Sequence, residues 1–201
     1  MGEIQEIINA VPDAKTQRAL QAMFSKILTD AGTQLKVDGT AITSTAAEIN
    51  RSSTKSGSVV DCTAGTLAVT EALHGDRIIT MNRAAGVVAT LPAATGTGNK
   101  YTFIIGTTAT SNANIIKVAN ATDVMNGSLN IQQDTDADGT LKCWMAEVGD
   151  DTITLAGAAT TGGIVGNRIE CIDYAAGFWA CTALTISGGG SEVTPFSATV
   201  S

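Results

Sequence analysis

Ile164-Val165-Gly166-Asn167-Arg168-Ile169-Glu170-Cys171-Ile172-Asp173-Tyr174, then Ala175-Ala176-Gly177, then Phe178-Trp179-Ala180-Cys181-Thr182-Ala183-Leu184-Thr185-Ile186, is the stretch that decides the fold class. Charged and polar residues alternate with β-branched, aromatic and other apolar ones, which is the two-residue period of a strand. Arg168, Glu170 and Asp173 among apolar neighbours signal one wet face. The small residues ending in Gly177 are turn chemistry, so the stretch predicts two strands joined by a tight connection.

The same grammar extends in both directions. Short β-type runs recur at Thr66–Thr70, Arg77–Met81, Gly86–Leu91, Tyr101–Thr107, Ile115–Val118, Ser128–Gln132, Leu141–Val148 and Thr152–Leu155. Between them stand turn sequences such as Thr95-Gly96-Thr97-Gly98-Asn99, Asn126-Gly127, Asp138-Gly139 and Gly149-Asp150-Asp151. Lys117, Asp123, Lys142 and Glu147 repeat the wet-face alternation. About ten strands at this spacing predict a mainly β chain: an antiparallel β-sandwich or barrel over residues 59–187. Phe103, Trp144, Phe178 and Trp179 lie in apolar runs and are expected in the core.

Composition bounds the functions such a domain can serve. The chain has 201 residues with 12 basic and 19 acidic groups, net charge −7 and pI near 4.6. That balance opposes binding to phosphate backbones or anionic lipid, so neither nucleic acid nor a membrane is an expected partner. Only 15% of residues are charged and 4% aromatic, while Ala and Thr number about thirty each. A surface this poor in charge suits coverage by copies of the same chain or by a partner. Area scaling for this mass allows about 70% of the extended-chain surface to be buried, so a core needs no disulfide or metal.

The helical period is confined to the first thirty residues. Ile4, Ile7, Ile8 and Val11, then Leu20, Met23, Phe24, Ile27 and Leu28, fall at i, i+3, i+4 spacings. Val11-Pro12-Asp13 breaks the pattern, and Asp30-Ala31-Gly32 ends it. At roughly 2 kcal/mol per buried large side chain this stripe has to meet something, either its own domain or another copy or partner. The expected organisation is a helical oligomerisation or attachment segment over 1–32, an extended Thr/Ser/Gly-rich arm over 33–58, the β domain over 59–187, and a Gly-rich joint with a tail over 188–201. In the arm, Ile42 and Ile49 flank a predicted helical turn and are expected to make its contacts. Met1-Gly2-Glu3-Ile4 shows no basic leader and residue 6 is Glu where a myristoylation motif has Ser or Thr, so a soluble, unsecreted protein is expected.

Candidate chemistry is sparse. His74, the one imidazole, sits in the polar run Glu71-Ala72-Leu73-His74-Gly75-Asp76-Arg77, and no G-x-S-x-G is present. Cys62, Cys143, Cys171 and Cys181 form no C-x-x-C and read as small hydrophobes in a reducing compartment. Gly96-Thr97-Gly98-Asn99-Lys100 lacks the spacing of a phosphate loop. Asp134-Thr135-Asp136-Ala137-Asp138-Gly139 begins like a calcium loop, with carboxylates at alternate positions and Gly for the turn. It then has Met145 where the bidentate Glu belongs. Asp134, Asp136 and Asp138 are therefore weak calcium candidates; no other cofactor is expected and no catalytic residue stands out.

Ile42-Thr43-Ser44-Thr45-Ala46-Ala47-Glu48-Ile49-Asn50 resembles the T-A-A-E-[IL]-N element of tailed-bacteriophage virion proteins, notably fibres and surface appendages. The segments Leu67–His74, Asn82–Gly86, Leu91–Tyr101, Ile116–Gly127 and Glu192–Ala198 are similar to a family of phage structural proteins, so the likeness spans roughly residues 42–198. It implies a trimer on the outer surface of a virion, made in the host cytoplasm and bound to the major capsid protein. The implied role is a capsid decoration (cement) protein or head fibre, with a tail-fibre or adhesion protein as the alternative. It implies no catalytic residues. The absence of a shaft repeat favours the decoration role.

Overall fold

Strands that follow one another in this chain mostly land in different sheets, and that alternation organises everything downstream. The computed structural model describes residues 10, 13–20, 36–37, 40–41, 58–133, 141–157, 160–188 and 192–200. The chain divides into two units, Met1–Thr54 and Lys55–Ser201.

In the first unit, residues 14–20 are helical. Asp13 caps that helix: its carboxylate accepts the Thr16 N–H at 2.8 Å and the Thr16 hydroxyl, while its carbonyl accepts the Gln17 N–H at 2.9 Å. These donors hold the Asp13 carboxyl below its ordinary pKa. Strand β1 (Lys36–Val37) pairs antiparallel with β2 (Thr40–Ala41).

The second unit is mainly β, in two mixed sheets. Its strands are β3 (Val59–Cys62), β4 (Thr66–Ala68), β5 (Arg77–Met81), β6 (Val88–Thr90), β7 (Lys100–Ile105) and β8 (Asn114–Lys117), followed by β9 (Val124–Gln133), β10 (Leu141–Met145), β11 (Thr152–Leu155), β12 (Arg168–Ala175), β13 (Phe178–Ser187) and β14 (Phe196–Ser197). The larger sheet runs β10-β9-β13-β12-β7-β5-β3 and the smaller β14-β11-β8-β6-β4. The one-turn helix Glu71–His74 links β4 to β5.

From β3 to β8 the chain crosses between sheets at every step, so β3–β4, β5–β6 and β7–β8 are three stacked coils. Their neighbours pair in parallel: Val59 with Ile78 and Ile78 with Thr102 in one sheet, Thr66 with Val88 and Val88 with Ile115 in the other. The corners stack as well. Gly86 has φ +76°, and a Cβ there would lie 2.3 Å from the Ala113 carbonyl oxygen. The Val87 N–H donates to Asn114 Oδ1 at 3.0 Å and the Ile115 N–H to the Val87 carbonyl at 2.8 Å. Outside the stack, Thr80 donates to Asp61, Asn82 Nδ2 reaches Asp61 Oδ2 at 3.4 Å, and Thr107 donates to Asn82.

The remaining strands close the sheets mainly through antiparallel pairs: β9 with β10, β12 with β13 and with β7, β11 with β8 and with β14. The antiparallel expectation therefore needs correction. Among the described strands of this unit, parallel and antiparallel pairings are equal in number, because β9–β13 and the four pairings of the coils are parallel. Asn126-Gly127 is likewise no turn but lies inside β9. Gly127 has φ +124° and a Cβ there would fall 2.1 Å from the Cys181 carbonyl oxygen, so it is a point of close strand approach.

One apolar cluster draws from both sheets: Ile79, Met81, Phe103, Ile169 and Trp179 from the larger, Ala89, Ile116, Ile153 and Leu155 from the smaller. Trp179 meets Tyr101 edge-on, with centroids 5.7 Å apart. The burial expectation holds for Phe103 and Trp179 and fails for Phe178, which is exposed. Phe178 and Trp179 are consecutive in one strand and so point to opposite faces.

Candidate interaction face

The in-register positions of the larger sheet assign its outer face. Cys143 and Met145 lie opposite Asn130 and Ser128, these beside Leu184 and Thr182, these opposite Arg168 and Glu170, and these opposite Ile104 and Thr102. The row continues through Thr80 and Ile78 to Asp61 and Val59. Large apolar side chains stand exposed along it: Val59, Leu141, Met145, Phe178 and Leu184, with Tyr174 at the β12 bulge. Met145 is 74% and Leu184 61% exposed, far from core values. Tyr174 and Phe178 pack at a centroid distance of 6.1 Å, and Asn126 Nδ2 donates to the Tyr174 hydroxyl at 3.0 Å.

Charge on this face cancels. Glu170 Oε2 lies 2.7 Å from Arg168 Nη2 and 3.7 Å from Lys100 Nζ, and Asp61 supplies the second negative charge. Among the described residues of the face, two cations and two anions sum to zero on a chain whose net charge is −7. A groove of about 550 Å³ runs over the centre, lined by Ser128, Asn130, Arg168, Glu170, Thr182 and Leu184 among others. Seven strands at about 4.8 Å spacing make the face roughly 30 Å wide.

The Gly-rich loop weighed as a phosphate cradle is filled by the chain's own carboxylate. Asp173 is buried. It accepts the N–H groups of Thr95 at 3.1 Å, Gly96 at 2.7 Å and Thr97 at 3.1 Å, and the Thr97 hydroxyl at 2.8 Å. Burial alone pushes its pKa up, but the donors of Thr97, Gly96 and Thr95 outweigh that and hold it below the ordinary carboxylate value. The Gly-rich loop is thus an anion nest, and its anion is Asp173. Asp123 and Asp173 were expected on the wet face; both are buried, with Asp123 accepting the Ala94 N–H at 2.8 Å. The tail is pegged in the same way: Asp151 accepts the Thr199 and Val200 N–H groups at 2.8 and 3.0 Å. Glu192 takes the Ser187 hydroxyl at 2.9 Å and lies 3.0 Å from Lys142 Nζ, while Phe196 is buried beside β11.

His74 is buried and its Nδ1 accepts the Thr70 N–H at 2.9 Å, closing its own helical turn. Burial lowers its pKa and Arg77 adds to the depression, against the opposing effect of the Thr70 carbonyl 3.2 Å from Nδ1. Cys62, Cys171 and Cys181 are buried, as suits their reading as small hydrophobes, whereas Cys143 is exposed on β10. Among the described residues no cluster of three metal-ligating side chains occurs, and no helix is long and apolar enough to cross a membrane. The calcium candidates Asp134, Asp136 and Asp138 lie outside the described residues, as do Ile4, Ile7, Ile8, Met23, Phe24, Ile27, Leu28, Ile42 and Ile49. Leu20 is half-buried at the end of the described helical residues.

Sequence reasoning missed the outer face because its members were assigned to strands without regard to side. The signal was present in β13, where Phe178 and Leu184 share one parity and Trp179, Cys181 and Thr185 the other. No family model, curated protein or solved structure matches the chain.

Proposed function

We propose that this chain is a structural protein of a tailed-bacteriophage virion, a trimeric decoration protein that binds the outer capsid surface. Its two sheets are read as a β-sandwich around the shared core. The observation that carries the reading is the neutral outer face of the larger sheet, with Val59, Leu141, Met145, Phe178 and Leu184 exposed on an otherwise acidic chain. A face that exposes large apolar side chains, carries no net charge and already pairs Glu170 with Arg168 and Lys100 suits contact with the major capsid protein or with copies of the chain. Burial repeated over many copies adds to shell stability by mass action. The role is mechanical, and the resemblance of residues 42–198 to phage structural proteins supports it.

The stacked coils favour a second reading, an appendage or tail-fibre protein with an adhesive role. β3 and β4 end their sheets on the same coil, and a stack of this kind extends by adding rungs. Copy number relative to the major capsid protein, measured by quantitative mass spectrometry of purified virions, separates the two. A ratio near unity or a simple fraction such as one third is expected. A few copies per particle supports the appendage, and absence from virions overturns both.

A further inference from the structure

We propose that Cys171 and Cys181 are a latent cross-strand disulfide site, reduced when the protein is made and closed to a cystine by a low-molecular-weight disulfide. The two residues stand directly opposite one another in the antiparallel β12–β13 pair. Opposed residues in such a pair have Cα atoms about 4.5–5.5 Å apart, inside the window of about 4.4–6.8 Å that a disulfide spans. The Cys181 thiol already points at Cys171, with Sγ to Sγ 3.5 Å, so the bond of about 2.05 Å needs side-chain rotation and little movement of the strands. Both side chains face the core and are fully buried.

The surroundings explain why this pair is the site. β12 is held on its far side by β7, where Tyr101 stands opposite Cys171. β13 is held on its far side by β9, where Gly127 stands beside Cys181. The hairpin is therefore fixed on both flanks, and its two sulfurs have each other as nearest reactive partners. Cys62 lies on the edge strand β3, with β7 and β5 between it and β12, and its Sγ is turned to the Ala64 carbonyl at 3.7 Å. Cys143 is on the edge strand β10, exposed.

The chemistry is two thiol–disulfide exchanges. On local opening of the hairpin, one cysteine loses its proton and its thiolate attacks the small disulfide, releasing one small thiolate and leaving a mixed disulfide. The other cysteine, likewise deprotonated, then attacks the protein sulfur of that mixed disulfide and releases the second small thiolate. The protein loses two protons and two electrons, and the reagent gains them as two small thiols. The Cys181 contact, and then burial, push the Cys171 thiol pKa up in the closed sheet, so the first exchange is gated by opening. Once formed, the bond closes a short loop and constrains the unfolded chain. The inference stands on the sheet geometry and does not depend on the virion reading.

The test uses the full chain, incubated with oxidised glutathione a few degrees below its melting transition and then mapped by mass spectrometry without reduction. The expected result is a loss of about 2 Da, a Cys171–Cys181 linked peptide, and a melting temperature raised by a few degrees that dithiothreitol reverses. Cys143→Ser should leave all three unchanged, and Cys181→Ser should abolish them. Persistent glutathione adducts on Cys171 or Cys181, a bond through Cys62 or Cys143 instead, or both thiols still free would overturn the proposal. The mapping on the unsubstituted chain decides the matter even where Cys181→Ser fails to fold.

Discussion

The coils of β3–β8 and the strands from β9 onward bury side chains in one core, yet they join strand to strand by opposite means. In the coils each strand pairs with the strand two places on, in parallel, after the chain has crossed to the other sheet. In the second region β9–β10 and β12–β13 pair with the next strand, antiparallel. A hairpin advertises itself through a turn between two alternating runs; a coil corner carries similar small residues but gives no sign of which strand it serves. Polar groups are spent differently too. The coils stack Asp61, Thr80, Asn82 and Thr107 on the outside, whereas the second region buries Asp123, Asp151, Asp173 and Glu192 as pegs for loops and tail.

The largest expected effect comes from the glycines at which each region makes its closest approach. Gly86→Ala in the coils and Gly127→Ala in β9 each combine a positive φ with a Cβ under 2.5 Å from a carbonyl oxygen. Each should cost at least about 3 kcal/mol in urea denaturation or prevent folding. If Gly86→Ala proves mild, the corners are looser than the strand contacts and the two regions differ in rigidity as well as topology.

Asp173 gives the next effect. Asp173→Ala leaves the Thr95, Gly96 and Thr97 donors without their acceptor and should cost about 3 kcal/mol, read from the same denaturation curves. The sign with pH follows from its lowered pKa. Its contribution is full above the unfolded carboxylate pKa and is lost as pH falls through the lower folded value, so Asp173→Asn should flatten stability loss below about pH 4. An unchanged acid limb would assign the acid sensitivity to the other buried carboxylates.

Smaller still on stability, and decisive for function, are charges placed on the outer face. Leu184→Asp and Met145→Asp should each change unfolding free energy by about 0.5 kcal/mol or less, since both side chains are mostly exposed. Both should weaken binding to shells or self-association, measured by co-sedimentation and analytical ultracentrifugation. Normal binding by both variants would remove this face from the interface. At the bottom of the scale, calcium should shift the melting temperature only where Asp134, Asp136 and Asp138 form a site, and a flat titration would leave them an acidic loop.

Much of the β content was legible because alternation and turn residues are local signals. Arg77–Met81 and Thr152–Leu155 coincide with β5 and β11 to the residue, and the β12–β13 hairpin follows from Ala176-Gly177. Val59–Cys62 and Phe196–Ser197 were not read as strands, being short and bounded by no clear turn. The coil repeat was invisible for a metric reason. Equivalent rungs fall at Val59, Ile78 and Thr102, and at Thr66, Val88 and Ile115, so the spacing lengthens along the chain and leaves no fixed period to detect.

By itself the sequence determined a mainly β chain poor in charge and the positions of most of its strands, since each depends on neighbours within a few residues. Tertiary structure alone decided which strands pair in parallel, which face Phe178 and Trp179 take, and that the Gly-rich loop receives Asp173. It also decided that Cys171 and Cys181 meet. Those outcomes depend on contacts between residues far apart in the chain or on the register of whole strands, and a local pattern carries no information about what stands across a sheet.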